Sequence, residues 1–232
     1  MTSGVPSPTP VPASLVGWQQ PIDELRETGA YFHGRGWSVG TSSNYSVVLQ
    51  RDPLELCVTA SGMDKGRLER CDFVRVGADG KPTTKDQPKS SAETWLHIVV
   101  AQELPEVGCI LHTHSVWATL LSDLFAAEGG LAIEGYEMLK GFAGVTTHEY
   151  NAWIEIFENT QDIPSLAEQV RARLRDAERP LRHGYLIRKH GLYTWGRDVA
   201  EARRHIEIFE FLLECTARRI MLSAALPTSA GA

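Results

Sequence analysis

The sequence predicts an α/β fold: one central, mixed and largely antiparallel sheet covered by helices on both faces. Segments of helical and of strand periodicity are interspersed along the chain. Several strand pairs are separated only by tight turns, which pairs them antiparallel. The 232 residues, 43% of them hydrophobic, suffice for one well-buried core, and neither an internal repeat nor a Gly/Ser/Pro-rich linker divides them.

The elements follow in order. Residues 1–14 (MTSGVPSPTPVPAS) carry four prolines and little to bury, so a disordered arm is expected there. One folded domain is expected over residues 15–224, with a flexible tail at 225–232. An amphipathic segment from Leu15 to Gly34 leads into GWSVGTSSNYSVVLQRDPLELCVTASG, whose β-branched and aromatic runs between Gly, Asn and Asp predict strands and tight turns. CDFVRVGADGK is a further strand ending at the hairpin-like Asp79-Gly80. Ser91 to Leu104 reads as a helix, Cys109 to His114 as a strand, and Val116 to Ala127 as a helix. A short helix is expected over Glu134 to Ala143 and a strand at WIEIF. Leu166, Val170 and Leu174, spaced four apart, predict a helix over Asp162 to Glu178. HGYLIRKHGLYTWG reads as one strand. In the last helix Asp198 can cap, Glu201 completes an acidic capping box, and Ile206, Phe209, Leu213 and Ile220 form the buried stripe.

Composition removes whole classes of function. The net charge of -6 argues against a nucleic-acid surface, which needs a clustered positive field. No apolar run approaches the ~20 residues that span a bilayer, and the N-terminal residues lack the basic start and apolar stretch of a signal peptide. Cys57, Cys71, Cys109 and Cys215 are scattered, as reduced thiols of a cytoplasmic protein would be.

The chemistry concentrates around CILHTHS. Side chains alternate across a strand, so His112 and His114 share one face with Cα atoms roughly 6.6 Å apart, within reach of one metal ion. Two solvated histidines at a surface strand end would have the same spacing. A metal site needs at least a third ligand. His190, late in an apolar strand and followed by Gly191, is the first choice, with His148 and His183 as competitors; His33 and His205 sit among charges on helical stretches and read as solvated. Catalysis also needs a proton carrier. Glu93 follows a serine pair at a helix start, where negative charge is favoured. Glu137 is a lone acid among apolar residues, where burial would raise its pKa. The small-residue loops GTSSN, TASG and KSS could form a phosphate cradle if they converge, and none has the P-loop pattern.

In this order, GTSSN, TASG, KSSAET, HTHS, YEMLKG and KHGLYTWGRD with the long helix behind it resemble the class II aldolase/adducin family, from about Trp18 to Arg219. The resemblance implies a three-layer α/β/α fold and one divalent metal per subunit, usually Zn2+, on His112, His114 and His190. It implies a phosphate pocket at Asn44, Ser61, Gly62 and Ser91, a small sugar-phosphate substrate, and a homotetramer. Glu93 matches the proton carrier of the sugar-phosphate aldolases, and Glu137 matches the acid of the family's dehydratases. Ser43 stands where the aldolases carry glycine (GTSGN), a departure shared with the dehydratases. Metal-dependent dehydration of a sugar phosphate is therefore the expected reaction. An aldolase or epimerase working through Glu93 is one alternative. A non-catalytic adducin-like binding module is another, and retention of all three histidines and both glutamates argues against it.

Overall fold

Alternating burial along the strands builds two apolar layers on a single sheet. This computed structural model describes residues 10–225. The strands are β1 (Asn44–Arg51), β2 (Leu54–Thr59), β3 (Phe73–Gly77), β4 (Cys109–Thr113), β5 (Gly130–Ile133), β6 (Ala152–Phe157), β7 (Gly184–Ile187) and β8 (Gly191–Gly196). They lie in the order β3-β2-β1-β4-β8-β7-β6-β5, and every neighbouring pair is antiparallel except β6 with β7. The sheet is thus mixed and largely antiparallel, as its tight turns predict.

The helices are α1 (Gln19–Gly34), α2 (Thr94–Glu103), α3 (Val116–Leu124), α4 (Ile163–Leu174) and α5 (Val199–Ala225). Cys109 and Leu111 of β4 join Tyr45 and Val47 of β1 in a cluster under α1, α3 and α5. Ile110 joins Leu56, Val58 and Tyr193 in the opposite cluster under α2 and α4. Successive residues of one strand therefore feed opposite layers, the period-2 rule that makes a helix–sheet–helix stack.

Several expectations need correction. Residues 1–9 and 226–232 lie outside the described residues, but the end of the expected N-terminal arm is ordered. Val11 packs on the core, Ser14 donates to Gln87 at 3.0 Å, and Ala13–Leu15 forms a 3-10 turn that buries Leu15. HGYLIRKHGLYTWG is two strands, because Arg188-Lys189-His190 turns the chain, with Lys189 at φ 54. β5 is a further strand, at four residues too short to carry a strand signal in the sequence. Ser91 to Glu93 precede α2 instead of forming its first turn. Ile220 is 36% exposed; the stripe continues through Ala217, and residues 218–225 extend beyond the body that could cover them. Asp198 caps α5 as its sequence indicates, accepting from Glu201 N–H at 2.8 Å, but the Glu201 carboxylate accepts from Arg197 N–H at 2.8 Å, one residue before the cap N–H that the expected box would use.

Candidate active site

β4 ends at the centre of the sheet, and this position sets the geometry of the site. His112 and His114 share one face, while Thr113 points through the sheet to Glu210 of α5. The β7–β8 turn brings His190 to the same point. The three Nε2 atoms lie 2.7 Å (His112–His114), 3.1 Å (His114–His190) and 3.4 Å (His112–His190) apart. Donors bonded at about 2.0–2.1 Å around one tetrahedral ion stand roughly 3.3 Å from one another, so this triangle fits a single ion. His190 can approach because Gly191 follows it: a Cβ on Gly191 would lie 2.0 Å from the Thr113 carbonyl oxygen, so any side chain there would push the turn off β4.

The ring of His112 is held from two sides. Its Nδ1–H donates to the Leu192 carbonyl at 2.9 Å, which leaves the Nε2 lone pair for the centre. Its flat face stacks on Tyr193, the residue opposite it on β8, at 3.9 Å and 13°. Burial, then the neighbouring His114 and His190, hold the His112 imidazole well below its ordinary pKa. Burial, then His190, push His114 down to about 4. Both rings are therefore neutral at pH 7, the form that ligates metal.

Glu93, immediately before α2, completes this centre. Its Oε1 lies 3.1 Å from His190 Nε2 and its Oε2 3.9 Å from His112 Nε2, and Asn44 of β1 donates its amide to Oε2. Burial alone would raise its carboxyl. The His190 hydrogen bond and the charges of His190, His114 and His97 outweigh that, so the net shift is downward and the group stays ionised.

A cleft of about 750 Å³ opens from here, lined by Ser61, Lys89, Ser91, Glu93, Trp95 and His190 among others. Ser61 N–H donates to the Lys89 carbonyl at 3.0 Å, which ties TASG to KSS, and Ser91 Oγ accepts from Glu93 N–H at 3.2 Å. Gly62 beside Ser61 has φ +78, and Asn44 reaches the cleft's Glu93. Three of the small-residue loops thus meet at one end of the sheet. Ser43 holds the left-handed backbone that favours glycine, at φ 75, with its hydroxyl donating to that of Ser38 at 2.9 Å.

Glu137 departs from its predicted setting. It lies on a 3-10 turn (Glu137–Gly141) with its side chain 72% exposed, against 19% for Glu93. Lys140 at 2.9 Å lowers its pKa, with His148 at 3.5 Å adding to the effect. The apolar neighbours in sequence mislead because Leu139 turns inward while Glu137 turns out. His148, His183 and His205 lie outside the triad. His148 faces Glu137, His183 stacks on Phe142 at 4.5 Å, and His205, expected to be solvated, is 3% exposed between Trp195 O and Ala143 N–H.

Lys65 carries no sequence signal, since MDKGR reads as a solvated turn, yet it is 1% exposed. Its ammonium donates to the Met63 carbonyl at 2.7 Å, and burial, opposed by Asp64, Asp72 and Glu93, brings its pKa down to about 8.

The profile of the Class II Aldolase and Adducin N-terminal domain matches residues 23–217. The methylthioribulose-1-phosphate dehydratase of Marinobacter nauticus is 51% identical over 189 residues, covering 82% of this chain and 88% of the relative. That of Stenotrophomonas maltophilia (strain R551-3) is 47% identical over 194 residues, covering 84% and 86%. Among solved structures, L-fuculose-1-phosphate aldolase from Thermus thermophilus superposes with a TM-score of 0.70 at 18% identity, over 89% of this chain and 98% of that one. A sugar-phosphate aldolase from Thermotoga maritima gives 0.69 at 19%, over 89% and 97%. At such identities the structures speak for the fold alone.

Proposed function

Because this chain belongs to the class II aldolase and adducin family, we propose that it dehydrates 5-methylthioribulose 1-phosphate to 2,3-diketo-5-methylthiopentyl 1-phosphate, a reaction of methionine salvage. The observation that carries the proposal is the triangle of His112, His114 and His190 nitrogens with Glu93 beside it, at a cleft whose lining includes serine hydroxyls, Lys81 and Lys89. These three imidazoles would hold one divalent ion. Zinc is our choice among the metals that suit such donors. A bound ion supplies Lewis acidity to the ketose carbonyl and its neighbouring hydroxyl.

The chain's own groups do the rest. Ser61, Ser91 and Lys89 line the cleft and Gly62 adjoins Ser61; they would offer hydroxyl, backbone and ammonium donors to the phosphate, which fixes the reacting carbons relative to the metal. Asn44 holds the carboxylate of Glu93, and both keep their places beside the histidines. We assign proton transfer to Glu137. Glu93 is engaged by His190 and Asn44, whereas the YEMLKG stretch around Glu137 resembles the one that carries the acid of the family's dehydratases. Glu137 would take the proton from C3 of the ketose and hand it to the C4 hydroxyl, which leaves as water as the C3–C4 double bond forms, and the resulting enol would shift its O3 proton to C4 to give the diketone. An exposed carboxylate gains basicity once it is covered. A homo-oligomer, in our reading a tetramer, can provide that cover. Val116, Leu120 and Leu124 present an apolar stripe on α3 with exposures of 64%, 56% and 59%.

Removing the metal with a chelator and restoring it with zinc tests the proposal. Turnover of 5-methylthioribulose 1-phosphate should vanish and return with one zinc per subunit. Full turnover in the stripped protein would refute it. Among the described residues, no helix is long and apolar enough to cross a membrane.

A further inference from the structure

We infer that Glu210 is a positioning residue for the metal centre, clamping the His112–His114 strand end from the opposite face of the sheet. The inference rests on the reading of His112, His114 and His190 as the ligand set. Thr113, the last residue of β4, lies between His112 and His114, and alternation sends its side chain away from them into the layer under α5. There its hydroxyl donates to Glu210 Oε1 at 3.4 Å.

Glu210 is 2% exposed, and its Oε2 meets no hydrogen-bond partner. Nothing in the apolar stripe of α5 requires an acid at this point. A buried carboxyl facing the Thr113 and Ser115 hydroxyls is the kind of group that persists because of what it holds. What it holds is the segment carrying His112, His114 and the cap of α3, where Ser115 Oγ accepts from Ala118 N–H at 3.1 Å.

Burial pushes the Glu210 carboxyl up to about 7, with the Ser115 and Thr113 hydroxyls opposing and Glu214, one turn along α5, adding. No cation is among the groups that shift it. The protonated carboxyl is an uncharged clamp that a glutamine amide can imitate, whereas leucine fills the space without bonding.

The arrangement resembles the outer shell of metal sites generally, where partners of the ligands set how tightly the ion is held. Here the clamp acts on the strand between two ligands and leaves the imidazoles free.

The test is the rate at which the zinc-loaded protein releases its metal to a chelator, measured for Glu210→Gln, Glu210→Leu and Thr113→Val. Far-UV circular dichroism and melting serve as the check on folding. Glu210→Gln should release zinc at the wild-type rate. Glu210→Leu and Thr113→Val should release it about ten-fold faster or more, in the range of lost outer-shell partners. Thr113→Val reads the same link with a smaller change should Glu210→Leu fail to fold. Wild-type release from Thr113→Val, or release from Glu210→Gln as fast as from Glu210→Leu, would overturn the inference. A wild-type protein that takes up no zinc would instead refute the ligand set on which it stands.

Discussion

The histidine triad and the Glu137 turn carry the two halves of the proposed chemistry, and the chain builds them differently. The triad sits where three neighbouring strands, β1, β4 and β8, meet. His112 is fully buried, bonded at Nδ1 and stacked on Tyr193, so its lone pair has a fixed direction before any ligand arrives. The Glu137 carboxylate lies on a one-turn 3-10 segment in solvent, paired with Lys140. Ligands that must match an ion to tenths of an ångström are placed by the sheet. A proton carrier only has to be delivered, and a surface acid can be covered when substrate and neighbouring subunits assemble around it.

The largest effect expected from this contrast is at the triad. His112→Ala removes the most rigid ligand, so bound zinc should fall well below one per subunit and turnover should drop to background; metal analysis of the purified variant checks this. Glu137→Gln comes next. It retains shape and hydrogen bonding while removing the proton relay, so turnover should fall about 10²–10⁴-fold with zinc still stoichiometric. If Glu137→Gln turns over normally while Glu93→Gln abolishes activity with metal bound, the two glutamates exchange roles.

A smaller effect concerns stability and pH. The carboxyl of Glu210 titrates near 7 in the fold against an ordinary value of 4.5, so the folded state binds the extra proton between those limits. Stability should therefore fall as pH rises from about 4.5 to about 7 and level off above, by an amount of order 3 kcal/mol from this group. Glu210→Gln should flatten that slope and raise the melting temperature at pH 8; an unchanged slope would show that Glu210 stays ionised in the fold. Smallest is Ser43→Gly. Glycine relieves the left-handed backbone but loses the bond to Ser38 and frees the unfolded chain, so denaturant unfolding should register a change of no more than about 1 kcal/mol.

Legibility in the sequence divides along the same line. Period-2 alternation placed His112 and His114 on one face and Thr113 on the other, and the glycine after His190 marked a place where the backbone can turn; the close approach of Gly191 to Thr113 appears only in the fold. Such signals survive because sheet geometry is rigid and local. The setting of Glu137 could not be read this way: GYEMLKGF is apolar in sequence, but a 3-10 turn sends adjacent residues in different directions. Lys65 and Glu210 escaped for a related reason. Each is a charged residue type in a stretch that reads as solvated surface or helix, and burial of such groups depends on contacts far along the chain.

The central claim is the reaction itself, and product analysis tests it most directly. Zinc-loaded protein incubated with 5-methylthioribulose 1-phosphate should yield, by mass spectrometry, a single phosphorylated diketone one water lighter than the substrate. Cleavage to dihydroxyacetone phosphate and a thioether aldehyde would contradict the account and make the chain an aldolase on the same metal.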